Sequence, residues 1–186
     1  MELLENQEAA SLHTKKNIEV LEIDNRLFIK QINPGVIILP YTLNKDKTPS
    51  EIGILNEVFD ARPGGMTRTL ITGKPDDEDD NIFQTAVREM KEESGFEVTD
   101  LKRWKFLGTL YTSKLVINPN PCFAVDITSL VAEERETDGS KDERDSKFEL
   151  ISIDEALDLD DGLVSSLFIK TFKELFIKNN TQDEIA

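Results

Sequence analysis

Residues 82–96 read IFQTAVREMKEESGF. Phe83, Ala86, Val87 and Met90 recur at the spacing of a helix buried along one face. Asp79, Asp80 or Asn81 stands where such a helix needs its N-cap, and Gly95 stands where a left-handed turn would close it. At about 100° per residue, Glu89 and Glu93 lie about 40° apart and Glu92 within about 100° of both. Three carboxylates therefore share one sector beside the apolar stripe. On an isolated helix, like charges four residues apart cost a few tenths of a kcal/mol. A hard divalent cation such as Mg2+ or Mn2+ reverses that sign, because carboxylate oxygens are the ligands it prefers. Taken alone, the pattern also fits a solvated acidic face with Arg88 and Glu92 as an ordinary i,i+4 ion pair. The neighbouring sequence decides between the two.

Upstream lies the acidic stretch KPDDEDDN (74–81), and before it a short strand from Thr67 to Thr72 stopped by Gly73. Ile52 to Phe59 reads as a strand running into Ala61-Arg62-Pro63-Gly64-Gly65, where Pro and Gly demand a turn. Val36-Ile37-Ile38-Leu39 is a β-branched run fit for a buried strand. Ile18–Ile23 and Leu27–Ile29 flank Asp24-Asn25-Arg26, a hairpin signal. Residues 2–16 read as a short helix, amphipathic through Leu3, Leu4, Ala9 and Leu12. Downstream, Trp104–Tyr111, Cys122–Ile127 and Phe148–Ile153 are further strands. Glu133–Ser146 is a charged exposed loop. Asp154–Leu157 begins a short helix, Leu163–Ile177 is the closing helix, and the tail from Asn179 frays. Strands do not alternate regularly with crossover helices, so the order predicts an α/β fold with a mixed sheet between helices.

The chain has 186 residues, room for one domain with a small extension. Lys and Arg number 22 against 37 Asp and Glu, a formal net charge of −15. That surplus repels a phosphate lattice, so neither long nucleic acid nor an anionic membrane surface is expected as a partner. A small phosphorylated substrate held through a cation stays open. The single cysteine excludes an internal disulfide and suits a reducing compartment. No run reaches the about 18 apolar residues of a membrane span, and the N-terminus lacks a signal-peptide pattern. The sequence reads as a cytoplasmic protein.

The whole string Arg88-Glu89-Met90-Lys91-Glu92-Glu93-Ser94-Gly95-Phe96 resembles the signature of the Nudix hydrolases, G-x5-E-x7-R-E-U-x-E-E-x-G-U with U apolar. The second half is matched throughout. Counted back from Arg88, the upstream acidic position falls on Asp80, and Gly73 then sits one residue too far upstream, implying a one-residue insertion in the acidic loop. The resemblance implies an α/β/α sandwich around a mixed sheet, with an N-terminal β-hairpin extension. The resulting division is residues 1–32 for a helix and hairpin, 33–178 for the Nudix domain and 179–186 for a flexible tail. It also implies hydrolysis of nucleoside diphosphate derivatives with Mg2+ or Mn2+. By position, Glu89, Glu92 and Glu93 are the implied metal ligands, with the Thr72 carbonyl beside them. Glu92 and Glu93 serve catalysis, Arg88 orients the carboxylates, and Gly73 touches substrate.

Beyond that string, the N-terminal hairpin, the strand closing on Arg62-Pro63, Leu70-Ile71-Thr72-Gly73, and Ile153-Asp154-Glu155-Ala156 before the last helix are similar to ADP-ribose pyrophosphatases. This similarity implies ADP-ribose as substrate, a homodimer through the N-terminal strands, a phosphate contact from Arg62, and a water-activating acid in the loop before the last strand. Glu143 or Asp142 falls nearest the expected place, with Glu133, Glu134 and Glu136 as alternatives. Trp104, Phe106, Tyr111 and Phe59 are candidates to stack on a base, although aromatics on strands more often serve a core. His13 falls in the N-terminal helix, so the general base is expected to be a carboxylate. Cys122 reads as a buried small hydrophobe. Another nucleotide substrate (a nucleoside triphosphate, a dinucleoside polyphosphate, NADH, FAD or an RNA cap) and a catalytically silent binding module are the competing readings.

Overall fold

A computed structural model describes the backbone of residues 10–15, 18–58, 65–135 and 146–177, with side chains described from residue 18 to 175 within those ranges. The hairpin forms where the sequence places it. Asp24 and Asn25 take φ of 52° and 59°, both left-handed, as a two-residue turn matched to strand twist requires. They join β2 (Ile18–Ile23) to β3 (Arg26–Gln31). The expected helix over residues 2–16 is not what residues 10–15 adopt: β1 (Ala10–Lys15) is a strand paired with β2, and His13 lies on it. The edge of β2 offers it a ladder of backbone partners, which outweighs the weak amphipathic spacing. The rest of that expected helix lies outside the described residues.

The main sheet holds β4 (Val36–Leu43), β5 (Pro49–Val58), β6 (Met66–Thr69), β7 (Ile71–Gly73), β8 (Trp104–Leu110), β10 (Asn120–Asp126) and β11 (Lys147–Ser152). Its order is β11-β5-β4-β10-β8, with β6 paired to β5 and β7 to β4. β10 runs parallel to β4, and the other pairings are antiparallel, so the sheet is mixed. The two-residue strand β9 (Val116–Ile117) leaves this sheet and extends the hairpin sheet alongside β3. The single strand expected over Thr67–Thr72 is divided at Leu70, where the chain passes from pairing with β5 to pairing with β4.

Among the described residues, three α-helices cover the main sheet: α1 (Ile82–Ser94), α2 (Ile153–Leu157) and α3 (Gly162–Phe172), the last running on into a π-helical turn, Lys173–Ile177. Side chains alternate across each strand, so the sheet feeds two cores. Val36 and Ile38 of β4 and Phe123 and Val125 of β10 pack with Ala86 and Met90 of α1. Ile37, Leu39, Tyr41, Cys122 and Ala124 pack on the other face with Ala156 of α2 and Val164 and Leu167 of α3. The result is the expected α/β/α sandwich. Cys122 is fully buried and burial pushes its thiol up to about 11, which fits an inert core residue.

Candidate active site

Helix α1 is fixed at both ends. The Asn81 side chain accepts hydrogen bonds from the backbone N–H of Phe83 and Gln84 at 3.0 and 3.2 Å, which satisfies two of its orphan donors. Gly95, at φ 78°, closes it by donating to the Lys91 carbonyl at 2.8 Å. At its inner face α1 rests on β7. Gly73, opposite Val36 in the sheet, leaves room for the Glu89 side chain to lie directly over its backbone: a Cβ there would collide with the Glu89 carboxylate. Gly35 in turn leaves room for the Gly73 carbonyl. Glu89 is consequently only 9 % exposed. Burial pushes its carboxyl up to about 7, against the pull of Arg88.

Arg88 gathers the acidic groups around it. Its Nη1 lies 2.9 Å from Glu89 and 2.8 Å from Glu92, while its Nη2 donates to Asp79 at 3.0 Å and to the Lys74 carbonyl at 2.8 Å. Burial works against the guanidinium charge, yet these three carboxylates raise its pKa above the ordinary value. Asp79 also accepts from Thr85 Oγ1 at 2.9 Å and from the Asp76 N–H at 2.9 Å. Burial raises its carboxyl, but Arg88 and these donors more than offset that and hold it below the usual range. Arg88 thus pairs with Asp79, whereas Asp80, the acid reached by counting back from Arg88, bonds Gln84: its N–H donates to Gln84 Oε1 at 2.6 Å and its carboxylate accepts from Gln84 Nε2 at 3.4 Å. Counting forward from Gly73, instead of back from Arg88, would have found Asp79, and the insertion lies between Asp79 and Arg88.

A cavity of about 800 Å³ opens at this place. Thr72, Gly73, Glu89 and Glu93 line it together, with Glu57, Lys74 and Ser146 nearby and Gln31, Thr112, Asn118 and Asn120 also contributing. Glu92 does not line it but stays with Arg88, so the three carboxylates of one helical sector divide into two at the cavity and one in the ion-pair network. Among the described residues, no three His, Cys, Asp or Glu side chains stand close enough to form a ready cation cluster. The donor set nonetheless fits a hard cation. It brings the carboxylates of Glu89 and Glu93 to one cavity, with that of Glu89 lying where a Cβ at Gly73 would stand.

The NUDIX domain family model matches residues 44–172. The chain belongs to the NUDIX family. Its structure resembles that of an ADP compounds hydrolase (TM-score 0.57, 16% identity, covering 90% of this chain and 92% of that one). It also resembles the NUDIX domain of Shewanella oneidensis NrtR complexed with ADP ribose (0.54, 13%, 76% and 86%) and a C. elegans Ap4A hydrolase binary complex (0.52, 17%, 76% and 96%). These likenesses are of fold. No curated protein matches the chain significantly by sequence. Family and motif together make it a Nudix pyrophosphohydrolase acting on nucleotide derivatives.

The other expected site residues of this Nudix chain fall as follows. Arg62, Phe59, Glu136, Asp142 and Glu143 lie outside the described residues. Glu133 and Glu134 are exposed and do not line the cavity; the Glu133 N–H instead donates to the Gly95 carbonyl at 2.8 Å. Trp104 is core: it packs edge-on against Phe83 at 5.2 Å and donates to the Val98 carbonyl at 2.9 Å. Phe106 and Tyr111 are exposed and away from the cavity lining. Arg135 has no signature in the sequence. It donates to the Ser146 carbonyl and hydroxyl at 2.8 Å each, and its Nε reaches the Glu92 carbonyl at 3.5 Å. The two described ends that flank residues 136–145 are thereby clasped together at the last turn of α1.

Proposed function

We propose that the chain hydrolyses ADP-ribose to AMP and ribose 5-phosphate, with Mg2+ or Mn2+ as cofactor. The observation that carries this reading is the joint presence of Glu89, Glu93, Thr72 and Gly73 in the lining of one cavity. In this reading Glu89 and Glu93, with the Thr72 carbonyl, hold the cations; Glu92 serves as a further carboxylate through Arg88, and Gly73 lies against the substrate. A divalent cation held by these residues would supply positive charge to offset the charge of the diphosphate and would acidify a bound water. Arg88 orients Glu89 and Glu92 through its ion pairs with both. Arg62 binds a phosphate, and Glu143 takes the proton of the attacking water. Water oxygen ends on phosphorus, the bridging P–O bond breaks, and AMP departs. Ser146, which lines the cavity, and its clasp to Arg135 support the assignment of an acid from residues 136–145. ADP-ribose is favoured over the other nucleotides by the hairpin and by the Arg62-Pro63 sequence already noted. A cytoplasmic homodimer belongs to the same reading.

The test is AMP release from a diphosphate panel with and without metal. Mg2+- or Mn2+-dependent turnover of ADP-ribose is expected, cut at least about 10²-fold in Glu93→Gln. Equal activity in that variant overturns the site assignment. Binding without turnover across the panel favours the silent module.

A further inference from the structure

We propose that Asn120 reads the uncharged sugar esterified to the diphosphate and sets selectivity at that end of the cavity; the inference rests on the pyrophosphatase reading above. Asn118 and Asn120 are 7 % and 6 % exposed, and both line the cavity. Burying amides is costly unless their hydrogen bonds are met. Thr112 meets those of Asn118: its backbone N–H donates to Asn118 Oδ1 at 3.3 Å, and Asn118 Nδ2 donates to its hydroxyl at 2.8 Å. The Asn118 carbonyl then accepts from Asn120 Nδ2 at 3.1 Å, which orients that second amide. A side-chain amide has two N–H donors and a carbonyl with two lone pairs. One donor of Asn120 is committed to the backbone, leaving a donor and an acceptor to serve the cavity.

The placement selects the ligand group. Asn120 opens β10, which pairs with β4 on the edge away from Gly73 and β7. Two strand spacings, about 10 Å, therefore separate its backbone from that of Gly73. That span leads from a diphosphate across one sugar ring. Gln31 adds a further uncharged hydrogen-bonding side chain to the lining. Sugar hydroxyls, each both donor and acceptor, suit such a wall.

The test compares ADP-ribose with ADP, which lacks the second sugar. In Asn120→Ala the KM for ADP-ribose is expected to rise about tenfold or more with kcat within about twofold, while the inhibition constant of ADP stays within about twofold. Asn120→Asp keeps the side-chain outline and is expected to show the same selective loss, with thermal melts confirming that both variants fold. An unchanged KM, an equal weakening of ADP, or a fall in kcat alone overturns the proposal. Should the wild type bind ADP-ribose without turning it over, the pyrophosphatase reading fails while the same comparison is made on Kd. There a loss confined to ADP-ribose supports the role of Asn120, and an equal or absent loss overturns it. Binding of neither ligand overturns both.

Discussion

One methyl group at residue 73 should disable the site. The Cβ of Gly73→Ala would occupy the space of the Glu89 carboxylate, so either Glu89 or β7 must move. We expect kcat/KM to fall at least about 10²-fold, with about 1–3 kcal/mol of stability lost to overpacking; kinetics alongside denaturant melts checks both. Glu89 also makes the metal-free protein sensitive to pH. Its carboxyl is raised from 4.5 to about 7 by burial, so between those values the native state holds more protons than the unfolded chain. Its contribution is therefore complete below about pH 4.5 and declines as pH rises through about 7. Melting temperature without metal should fall between about pH 5 and about pH 8, less steeply in Glu89→Gln, and added Mn2+ should raise it more at the higher pH. A slope unchanged by Glu89→Gln would contradict this. Asp79 acts in the opposite sense: held low by Arg88, its contribution is lost as pH falls below its ordinary 3.8. The choice of Asp79 over Asp80 was not legible from Arg88 backward, because an inserted residue shifts the count and only the fold shows which carboxylate Arg88 reaches.

At the scale of elements, α1 was the most legible feature, since apolar spacing, cap and terminal glycine all agreed. Asn81→Ala removes the cap that satisfies two backbone N–H groups and should cost about 1 kcal/mol, read as a shift in urea midpoint with unchanged slope. A shift near zero would mean that another group takes over the cap. β1 was misread because its outcome depends on a partner strand rather than on its own residues. The division between β6 and β7 was likewise hidden: Leu70 looks like any apolar strand residue, and only pairing with β5 before it and β4 after it makes the break. The Arg135 clasp joins segments on either side of a charged stretch whose composition says only that it is polar.

For the whole molecule, the hairpin sheet presents Ile18, Leu27 and Ile29 on one face, exposed by 47%, 60% and 44%. If the homodimer uses that face, the chain sediments as a dimer, and Leu27→Lys with Ile29→Lys gives a folded monomer. Salt should favour association, because two chains of −15 repel at low ionic strength. A wild type that sediments as a monomer at all salt concentrations would refute the assignment. The sequence by itself determined the family, the sandwich and helix α1 with its carboxylates, because these follow from local periodicity, turn chemistry and one contiguous motif. Tertiary structure alone decided that Glu89 and Glu93 face a cavity while Glu92 turns to Arg88. It alone decided that Asp79 is the acid Arg88 holds, and that Asn118 and Asn120 line the cavity. The physical reason is that helical spacing sets angles around one axis, whereas contacts across β4 and β7 depend on how distant segments pack.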